Sequence, residues 1–264
     1  MSEAPRRALV TGASSGIGAE AARRLAGAGY RVAVLARRRE RLEALALKLG
    51  PGHLALPCDL TDAAALQRAV DAAGEAFGGL DLVVNNAGVG YRARVADLEP
   101  ELLERLVATN LTAPLLLCRA ALPHLRRGRR PVMVLVSSVL GRRGYPTQAA
   151  YAATKAGICS LGESLRLEWE REGIAVCTLD PGLTRTEILE RQANPAGLPD
   201  PDLATAAAPE SVAELVLELD RRPRPELYGE PRWRWLGALS VLAPRWGDRL
   251  LVWRVGRGRE REGW

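Results

Sequence analysis

The chain has 264 residues, of which 47% are hydrophobic and 26% charged, and its formal net charge is +6. This length suits one large domain, and the apolar fraction is ample for a sizeable core. With only two histidines, the composition argues against a histidine-based metal site and against a Ser-His-Asp triad, so we expect no metal.

The cysteines and the apolar runs bear on the compartment. Four well-separated cysteines without a C-x-x-C pair predict buried thiols in a reducing environment. The start of the sequence, "MSEAPRRALVTG", enters a strand-like run directly, so no signal peptide is expected. No apolar stretch approaches the ~18 residues of a membrane-spanning helix, and we expect a cytoplasmic protein.

Short apolar runs alternate with longer helical patterns along the chain. We predict strands at 7–12, 31–36, 53–57, 80–86, 131–137, 174–180 and 225–229. Helices are predicted at 16–28, 39–49, 62–77, 99–126, 150–171 and 209–220. Most of the strands are continuously apolar, as strands covered on both faces are. The alternation predicts an α/β fold with one doubly wound parallel sheet of about seven strands and helices on both faces.

A glycine-rich loop, "TGASSGIG", follows the first predicted strand. Ligands of open α/β sheets bind at the carboxyl ends of the strands, so the loop stands where a ligand is expected. Glycine lets the backbone approach a phosphate, and the helix N-terminus offers free N–H groups. A purely structural turn is the alternative, but the position of the glycine loop after strand one favours phosphate binding. The residues predicted to bind here are Gly12, Ser14, Ser15, Gly16, Ile17 and Gly18.

Three arginines follow the second strand, where NAD-binding proteins usually carry an acidic residue. Cations are unfavourable at the start of a helix, and a bound 2′-phosphate would remove that conflict. We therefore predict that Arg37 and Arg38 favour NADPH over NADH. A solvated basic helix start is the competing interpretation, because the chain is rich in arginine.

One of the only two lysines, Lys155, stands four residues after Tyr151 in "YAATKAG". Side chains four residues apart share one face of a helix. At about 4 Å and an effective dielectric of ~20, a cation contributes on the order of 4 kcal/mol, or roughly 3 pKa units. The pair is thus predicted to bring the tyrosine pKa towards neutrality, although such spacings also occur by chance.

These motifs together resemble the short-chain dehydrogenase/reductase family, classical type. The resemblance rests on "TGASSGIG", "NNAG", Ser138 and the Y-x-x-x-K motif thirteen residues later, and it runs from about residue 6 to 230. It implies a Rossmann fold and identifies 1–230 as a catalytic and cofactor-binding domain. The remaining residues, 231–264, are then an extension packed on the same domain or on a partner subunit.

The resemblance implies a role for each catalytic residue. Tyr151 is the general acid/base, and Lys155 lowers its pKa and binds the nicotinamide ribose. Ser138 stabilises negative charge on the substrate oxygen. Asn110 holds a water molecule that links the lysine to solvent. Pro114, which lacks an N–H, leaves the carbonyl of Asn110 available for that water.

Further cofactor contacts are implied at the other strand ends. Asp59 resembles the acid that meets the adenine amino group, and the loop after strand four lies beside the cofactor. The loop after strand six resembles the nicotinamide side, where a threonine holds the carboxamide or the pyrophosphate. The remaining implied cofactor-binding residues are Leu60, Asn86, Ala87, Gly88, Pro181, Gly182, Thr184 and Thr186.

The hypotheses about substrate and partners rest on two segments of the chain. The Pro- and Ala-rich segment 185–208 corresponds to the segment that closes over the substrate in members of the family. An ordinary long loop would have the same sequence pattern. In 231–264, apolar residues recur at helical spacing among arginines, at Trp235, Leu239, Leu242, Trp246, Leu250 and Trp253. We favour a cleft cover or dimer contact for this extension over contact with a membrane surface.

The sequence therefore predicts an NADP(H)-dependent oxidoreductase of bulky apolar carbonyls or alcohols, with NAD(H) as the alternative cofactor. A homodimer or homotetramer is the expected assembly, without nucleic acid as a partner. Three alternatives stay open: a non-catalytic NADP(H) sensor, a lipid or acyl carbonyl reductase at a membrane surface, and a nucleic-acid or lipid binder. A sugar-nucleotide epimerase, which also carries Y-x-x-x-K, ranks low because such chains are longer.

Overall fold

The computed structural model describes residues 4–255 and contains a single parallel sheet. Its strand order is β3-β2-β1-β4-β5-β6-β7, and every neighbouring pair is parallel. The prediction of a doubly wound sheet of about seven strands is confirmed. The strands are β1 Arg7–Thr11, β2 Arg31–Ala36, β3 Leu54–Pro57, β4 Leu82–Asn85, β5 Val132–Val136, β6 Ala175–Asp180 and β7 Glu226–Tyr228.

The helices occupy the predicted segments, with additions after β6 and after β7. They are α1 Gly16–Gly27, α2 Arg39–Leu49, α3 Ala63–Phe77, α4 Pro100–Val107, α5 Ala113–Leu125, α6 Ala149–Glu168, α7 Glu187–Glu190, α8 Pro209–Arg221, α9 Arg232–Leu242 and α10 Pro244–Val255. The extension predicted at 231–264 thus begins with α9 and α10, and its residues 256–264 lie outside the described residues.

The predicted helix 99–126 is interrupted by a wide turn. A π-helical turn at Ala108–Thr112 joins α4 to α5, and the N–H of Ala113 bonds the carbonyl of Ala108 five residues back. Pro114 explains the interruption, because it offers no N–H for the usual bond to a carbonyl four residues back.

Helices on the two faces of the sheet enclose two hydrophobic cores. Alternate residues of a strand point to opposite faces, so Ala8 and Val10 join one core while Leu9 joins the other. The first core packs under α1, α2 and α8, and the second packs under α3, α5 and α6.

One helical stretch, Pro100–Leu125, is long and apolar enough to cross a membrane by length and composition. The sequence-based expectation that no such stretch exists was wrong. Packing accounts for its apolar character, since Ala113, Leu117 and Ala121 are buried in the second core.

Chain order reverses between β1 and β4, which lie side by side. From β1 the chain moves outward to β2 and β3, and it then returns to the other side of β1. The crossover helices therefore separate at this point and leave a crevice at the carboxyl ends of the two strands. The glycine loop follows β1 and the "NNAG" loop follows β4, so both lie at this crevice.

Candidate active site

The glycine loop needs glycine because two backbone segments meet there. Gly12 and Gly16 have φ of 67° and 55°, a region that other residues rarely adopt. A Cβ on Gly18 would lie 2.6 Å from both the carbonyl oxygen of Gly12 and Nδ2 of Asn86. The loop is thus a cradle that any side chain would fill, at the N-terminus of α1. This geometry fits the pyrophosphate of a dinucleotide.

Thr11, which sequence reasoning treated only as a strand end, fixes the "NNAG" loop to β1. Its buried Oγ1 accepts hydrogen bonds from the backbone N–H groups of Asn86 (3.0 Å) and Ala87 (3.1 Å). The amide of Asn86 donates in turn to the carbonyl of Thr11 (2.9 Å). Asn86 and Ala87 therefore hold the wall of the crevice. The only sequence signal was the threonine of "TGASSGIG".

Arg38 lies against the glycine loop, whereas Arg37 is exposed. The Arg38 guanidinium donates to the hydroxyls of Ser14 (2.8 Å) and Ser15 (2.7 Å). Its Nη1 also lies 2.6 Å from a carboxylate oxygen of Glu187, which sequence reasoning did not single out. Arg38 is therefore the arginine of the pair that joins the predicted phosphate cradle.

Asp59 and Leu60 follow β3 at the same edge of the sheet. The Asp59 carboxylate accepts from the N–H (3.0 Å) and hydroxyl (2.8 Å) of Thr61. These hydrogen bonds, together with the charge of Arg37, lower the pKa of Asp59. Leu60 is buried and Asp59 is exposed, so Asp59 presents an ionised carboxylate at the rim of the crevice.

Ser138, Tyr151 and Lys155 converge beyond the end of β5. Ser138 follows that strand, and the other two residues lie one turn apart on α6. The Tyr151 hydroxyl lies beside that of Ser138 and interacts with it. Nζ of Lys155 donates to the carbonyl of Val136 (3.0 Å) and lies 5.8 Å from the centre of the Tyr151 ring. The three predicted catalytic residues therefore form one cluster.

Burial controls the protonation of this cluster. It raises the pKa of Tyr151 to about 12, partly opposed by the hydrogen bond with Ser138. It lowers the pKa of Lys155 to about 8. The expectation that the lysine brings the tyrosine pKa towards neutrality is wrong for the polypeptide alone, because desolvation of the phenolate is the larger effect. At neutral pH Tyr151 is protonated and Lys155 is mostly charged.

Asn110, in the π turn, binds the loop beside Lys155. Its Oδ1 accepts from the N–H of Val89 (2.8 Å), and its Nδ2 donates to the carbonyl of Val89 (2.9 Å). A Cβ on Gly88 would lie 3.3 Å from Oδ1 of Asn110 and 3.6 Å from Nζ of Lys155. The Asn110 side chain is thus engaged by a backbone amide pair. Its carbonyl, which Pro114 cannot bond, is the group that suits the predicted water.

The loop after β6 closes the other side of the crevice. The carbonyl of Pro181 accepts from the N–H of Val139 (3.0 Å), which ties this loop to the one that carries Ser138. The methyl group of Thr186 would lie 3.0 Å from a Cβ on Gly16, so Thr186 faces the glycine loop. Thr184 is buried and donates to the carbonyl of Gly182 (3.0 Å). Of the two predicted threonines, only Thr186 lies against the cradle.

Comparison with known proteins decides the family. Residues 6–196 match the family described as short chain dehydrogenase. The chain belongs to this family. It is 32% identical over 266 residues to the dehydrogenase/reductase SDR family member 7B of Bos taurus, covering 96% of this chain and 82% of the relative.

Solved structures give the same result. A short chain dehydrogenase of Burkholderia cenocepacia in complex with NADP is 32% identical with a TM-score of 0.75, over 84% of this chain and 95% of the other. The 3-ketoacyl-(acyl-carrier-protein) reductase of Brucella melitensis complexed with NADH is 30% identical with a TM-score of 0.75, over 85% and 94%. As a member of this family, the chain is an oxidoreductase with a nucleotide-binding Rossmann fold.

A third, smaller apolar cluster surrounds Tyr151, the predicted general acid/base. Val89, Tyr91 and Leu106 pack there with Tyr151 and Ala193. Ala193 belongs to the segment that was predicted to close over substrate. Its N–H bonds the carbonyl of Gly90 (3.1 Å), and its carbonyl accepts from the N–H of Arg92 (2.8 Å). This segment therefore packs beside Tyr151 and contributes to an apolar wall.

The sequence analysis did not predict a buried ion pair that lies behind α6. Asp180, the last residue of β6, is fully buried, and Nε of Arg142 lies 3.0 Å from its carboxylate. Burial raises the pKa of Asp180 to about 6, and Arg142 opposes the shift. The pair fixes the loop after Ser138 to the end of β6. Its partners lie 38 residues apart, so no local motif could reveal it.

The helices α9 and α10 pack outside the loop that follows Ser138. Leu251 is buried, and Arg143 of the loop lies 2.5 Å from Asp248 of α10. A groove of about 720 Å³ runs between α10, this loop and the small residues of α6 that point away from the site: Ala149, Ala152, Ala153 and Ala156. These helices therefore cover the outside of the Ser138 loop, and their outer side chains are exposed.

Proposed function

We propose that this oxidoreductase transfers a hydride between NADP(H) and a bulky apolar carbonyl or alcohol, with Tyr151 as the general acid/base. The observation that carries the proposal is the convergence of Ser138, Tyr151, Lys155 and Asn110 at one crevice. Tyr151 lies beside Ser138, Lys155 is anchored by the carbonyl of Val136, and Asn110 is anchored by the backbone of Val89. A sensor that only binds the cofactor would have no need of this set.

The preference for NADP(H) is supported by Arg38. Its guanidinium and the hydroxyls of Ser14 and Ser15 converge beside the glycine cradle, as recognition of a phosphate requires. NADP is bound by the relative from Burkholderia cenocepacia and NADH by the relative from Brucella melitensis. We therefore propose NADP(H) as the preferred cofactor and NAD(H) as the alternative.

The residues of this chain supply the proton and the electrostatics of the reaction. The bound nicotinamide supplies the hydride. With its pKa near 12, Tyr151 is protonated at neutral pH and can give its proton to the carbonyl oxygen. Ser138 hydrogen-bonds the same oxygen and stabilises its developing charge. Lys155 restores the proton through the water that we place on the carbonyl of Asn110.

The substrate class follows from the surroundings of Tyr151. The wall next to its ring is formed by the partly buried Val89 and Ala193, and the buried Tyr91 and Leu106 pack behind them. Such a wall offers burial to an apolar group and few hydrogen bonds to a sugar. We therefore propose a bulky apolar ketone or aldehyde, which disfavours a sugar-nucleotide substrate.

We also propose a cellular location and an assembly for this protein. The four cysteines are free and buried, which supports a reducing, cytoplasmic environment. We propose a homodimer or homotetramer and a catalytic unit at 1–230. The second unit, 231–264, covers the Ser138 loop or contacts a partner subunit, in preference to a membrane surface.

The test is NADPH consumption, followed by absorbance, with aromatic, aliphatic, steroid-like and acyl ketones. NADH and a Tyr151→Phe variant run beside it. We expect turnover with NADPH that falls by about 10²- to 10⁴-fold in Tyr151→Phe, the range for loss of a general acid. Unchanged turnover in Tyr151→Phe would overturn the catalytic assignment. Tight NADPH binding without turnover on any ketone would favour the sensor.

A further inference from the structure

Glu187 is the first residue of α7, yet its carboxylate contacts two arginines of the region after β2. One carboxylate oxygen lies 2.6 Å from Nη1 of Arg38, and the other lies 2.5 Å from Nη1 of Arg41. Arg191 adds a weaker contact of 3.4 Å from one turn further along. These hydrogen bonds lower the pKa of Glu187 to about 2, so its carboxylate is ionised at neutral pH.

Arg38 is the residue on which cofactor preference depends, and its donors are almost fully engaged. A guanidinium has five N–H donors. In Arg38, Nε and Nη2 donate to Ser14 and Ser15, and Nη1 donates to Glu187. The serine hydroxyls also donate, so they can turn towards a phosphate oxygen. The carboxylate only accepts, and its charge repels a phosphate. A phosphate that pairs with Nη1 must therefore displace Glu187 or bind directly beside its charge.

We propose that Glu187 is a tethered anion that competes with the 2′-phosphate of NADP(H) for Arg38 and thereby limits the preference of this chain for the phosphorylated cofactor. The inference rests on the proposed role of Arg38 in NADP(H) binding. A cofactor without a 2′-phosphate leaves the Arg38–Glu187 pair intact. Binding of NADP(H) breaks the pair, and its affinity is reduced by the free energy of that contact.

The position of Glu187 links this competition to the substrate side. Thr186, its neighbour, faces Gly16 of the cradle, and Ala193 packs in the apolar cluster with Tyr151. The segment from Thr186 to Ala193 thus joins the phosphate end of the crevice to the catalytic end. Because binding free energies are coupled reciprocally, a substrate that holds this segment in place strengthens the competition at Arg38.

The test measures binding of fragments that differ only in the phosphate. Calorimetry on the full chain compares 2′,5′-ADP with 5′-AMP, which lacks only the 2′-phosphate, so the result does not depend on turnover. We expect Glu187→Gln to bind 2′,5′-ADP about fivefold more tightly, the effect of losing one partly exposed ion pair, and to bind 5′-AMP with unchanged affinity. Glu190→Gln is the matched control, since Glu190 lies on the same helix, carries the same charge and is exposed.

A second background separates direct competition from a general change of charge. In Arg38→Ala, Glu187→Gln should leave the affinity for 2′,5′-ADP unchanged, whereas a long-range field effect would persist. An equal gain in Glu190→Gln, or a persistent gain without Arg38, overturns the proposal.

The remaining outcomes separate this inference from the proposed function. If the wild-type chain prefers 2′,5′-ADP, loses that preference in Arg38→Ala and is unaffected by Glu187→Gln, then the inference fails while the NADP(H) assignment stands. Weaker binding of 2′,5′-ADP by Glu187→Gln would also overturn the inference. If the wild-type chain shows no preference for 2′,5′-ADP and Glu187→Gln creates none, both proposals fail.

Discussion

The crevice and the α9–α10 pair both depart from the usual arrangement of buried apolar and exposed polar side chains. The crevice buries polar groups, whereas the helix pair exposes apolar ones. At the crevice, polar groups are buried: Asn110 is 1% exposed, Lys155 5% and Asp180 0%. On α9 and α10, large apolar groups are exposed: Trp235 is 74% exposed, Leu242 84% and Trp246 65%. Buried polar groups cost free energy unless they are bonded, so their partners are built into the fold. Exposed apolar groups need no partner within the chain.

This difference determines what each region reveals. The buried polar groups at the crevice have defined contacts, and those contacts support the proposed proton donor, cation and phosphate cradle. The outer faces of α9 and α10 show an apolar surface among arginines without specifying what it meets. A reaction class can therefore be argued from the crevice, whereas the helix pair supports only the proposals of cover and assembly.

Adjacent arginines offer the sharpest test of the comparison. Arg142 pairs with fully buried Asp180, whereas Arg143 pairs with Asp248, whose side chain is 62% exposed. We expect Arg142→Ala to lower the free energy of unfolding by about 3–5 kcal/mol, because it leaves a buried carboxylate unpaired. Arg143→Ala should cost about 1 kcal/mol or less. Urea denaturation of both variants measures the difference, and equal losses would contradict it.

A double substitution checks the cause of the larger effect. If the unpaired carboxylate is responsible, adding Asp180→Asn to Arg142→Ala should recover part of the lost stability. The pKa of Asp180 near 6 supplies a second readout. Because burial raises this pKa in the folded state, Asp180 binds its proton more tightly when folded, and its contribution to stability falls as pH rises from about 4 to 6.

The second prediction concerns Lys155 and pH. Its pKa of about 8 in the folded chain lies below its ordinary value of 10.5. Turnover should therefore fall about tenfold per pH unit above that pKa, because the lysine loses its charge. Lys155→Met should lower turnover at neutral pH and remove this alkaline decline. A decline that persists in Lys155→Met belongs to another group.

The contribution of Lys155 to the free energy of unfolding should show the opposite trend between pH 8 and 10.5. Between pH 8 and 10.5 the unfolded chain keeps the lysine proton and the folded chain loses it. At this site the unfolded state then binds more protons, so Lys155 contributes a rise in the free energy of unfolding with pH, against the fall contributed by the buried cysteines, whose pKa values burial raises. This rise, measured by urea denaturation at several pH values, should be absent from Lys155→Met. A constant difference in stability between the wild-type chain and Lys155→Met over this range would show that Lys155 is not desolvated.

The two regions were also unequally predictable from sequence. The strands are continuously apolar and Ser138 follows a strand end, and the resemblance to the family then placed Tyr151 and Lys155 with Ser138 at one crevice. Asp180 with Arg142, and Glu187 with Arg38, are pairs between segments far apart in the chain, for which no local pattern exists. The pKa of Tyr151 was predicted in the wrong direction because its burial depends on Tyr91, Leu106 and Ala193, which only the fold assembles. In the extension, helical spacing located the apolar residues but did not show which ones are buried.

The smallest expected effect lies within α10, where neighbouring leucines differ in burial. Leu251 is 4% exposed against the Ser138 loop, whereas Leu250 is 43% exposed. We expect Leu251→Ala to accelerate hydrogen exchange of α9 and α10 by about tenfold, equivalent to ~1.4 kcal/mol, and Leu250→Ala to change it little. Exchange in the sheet should stay unchanged, because the buried contacts of the crevice do not involve α10. If Leu251→Ala instead accelerated exchange in β5 and β6, the helix pair and the crevice would unfold as one cooperative unit. The α9–α10 pair would then be part of the structural unit that carries the crevice.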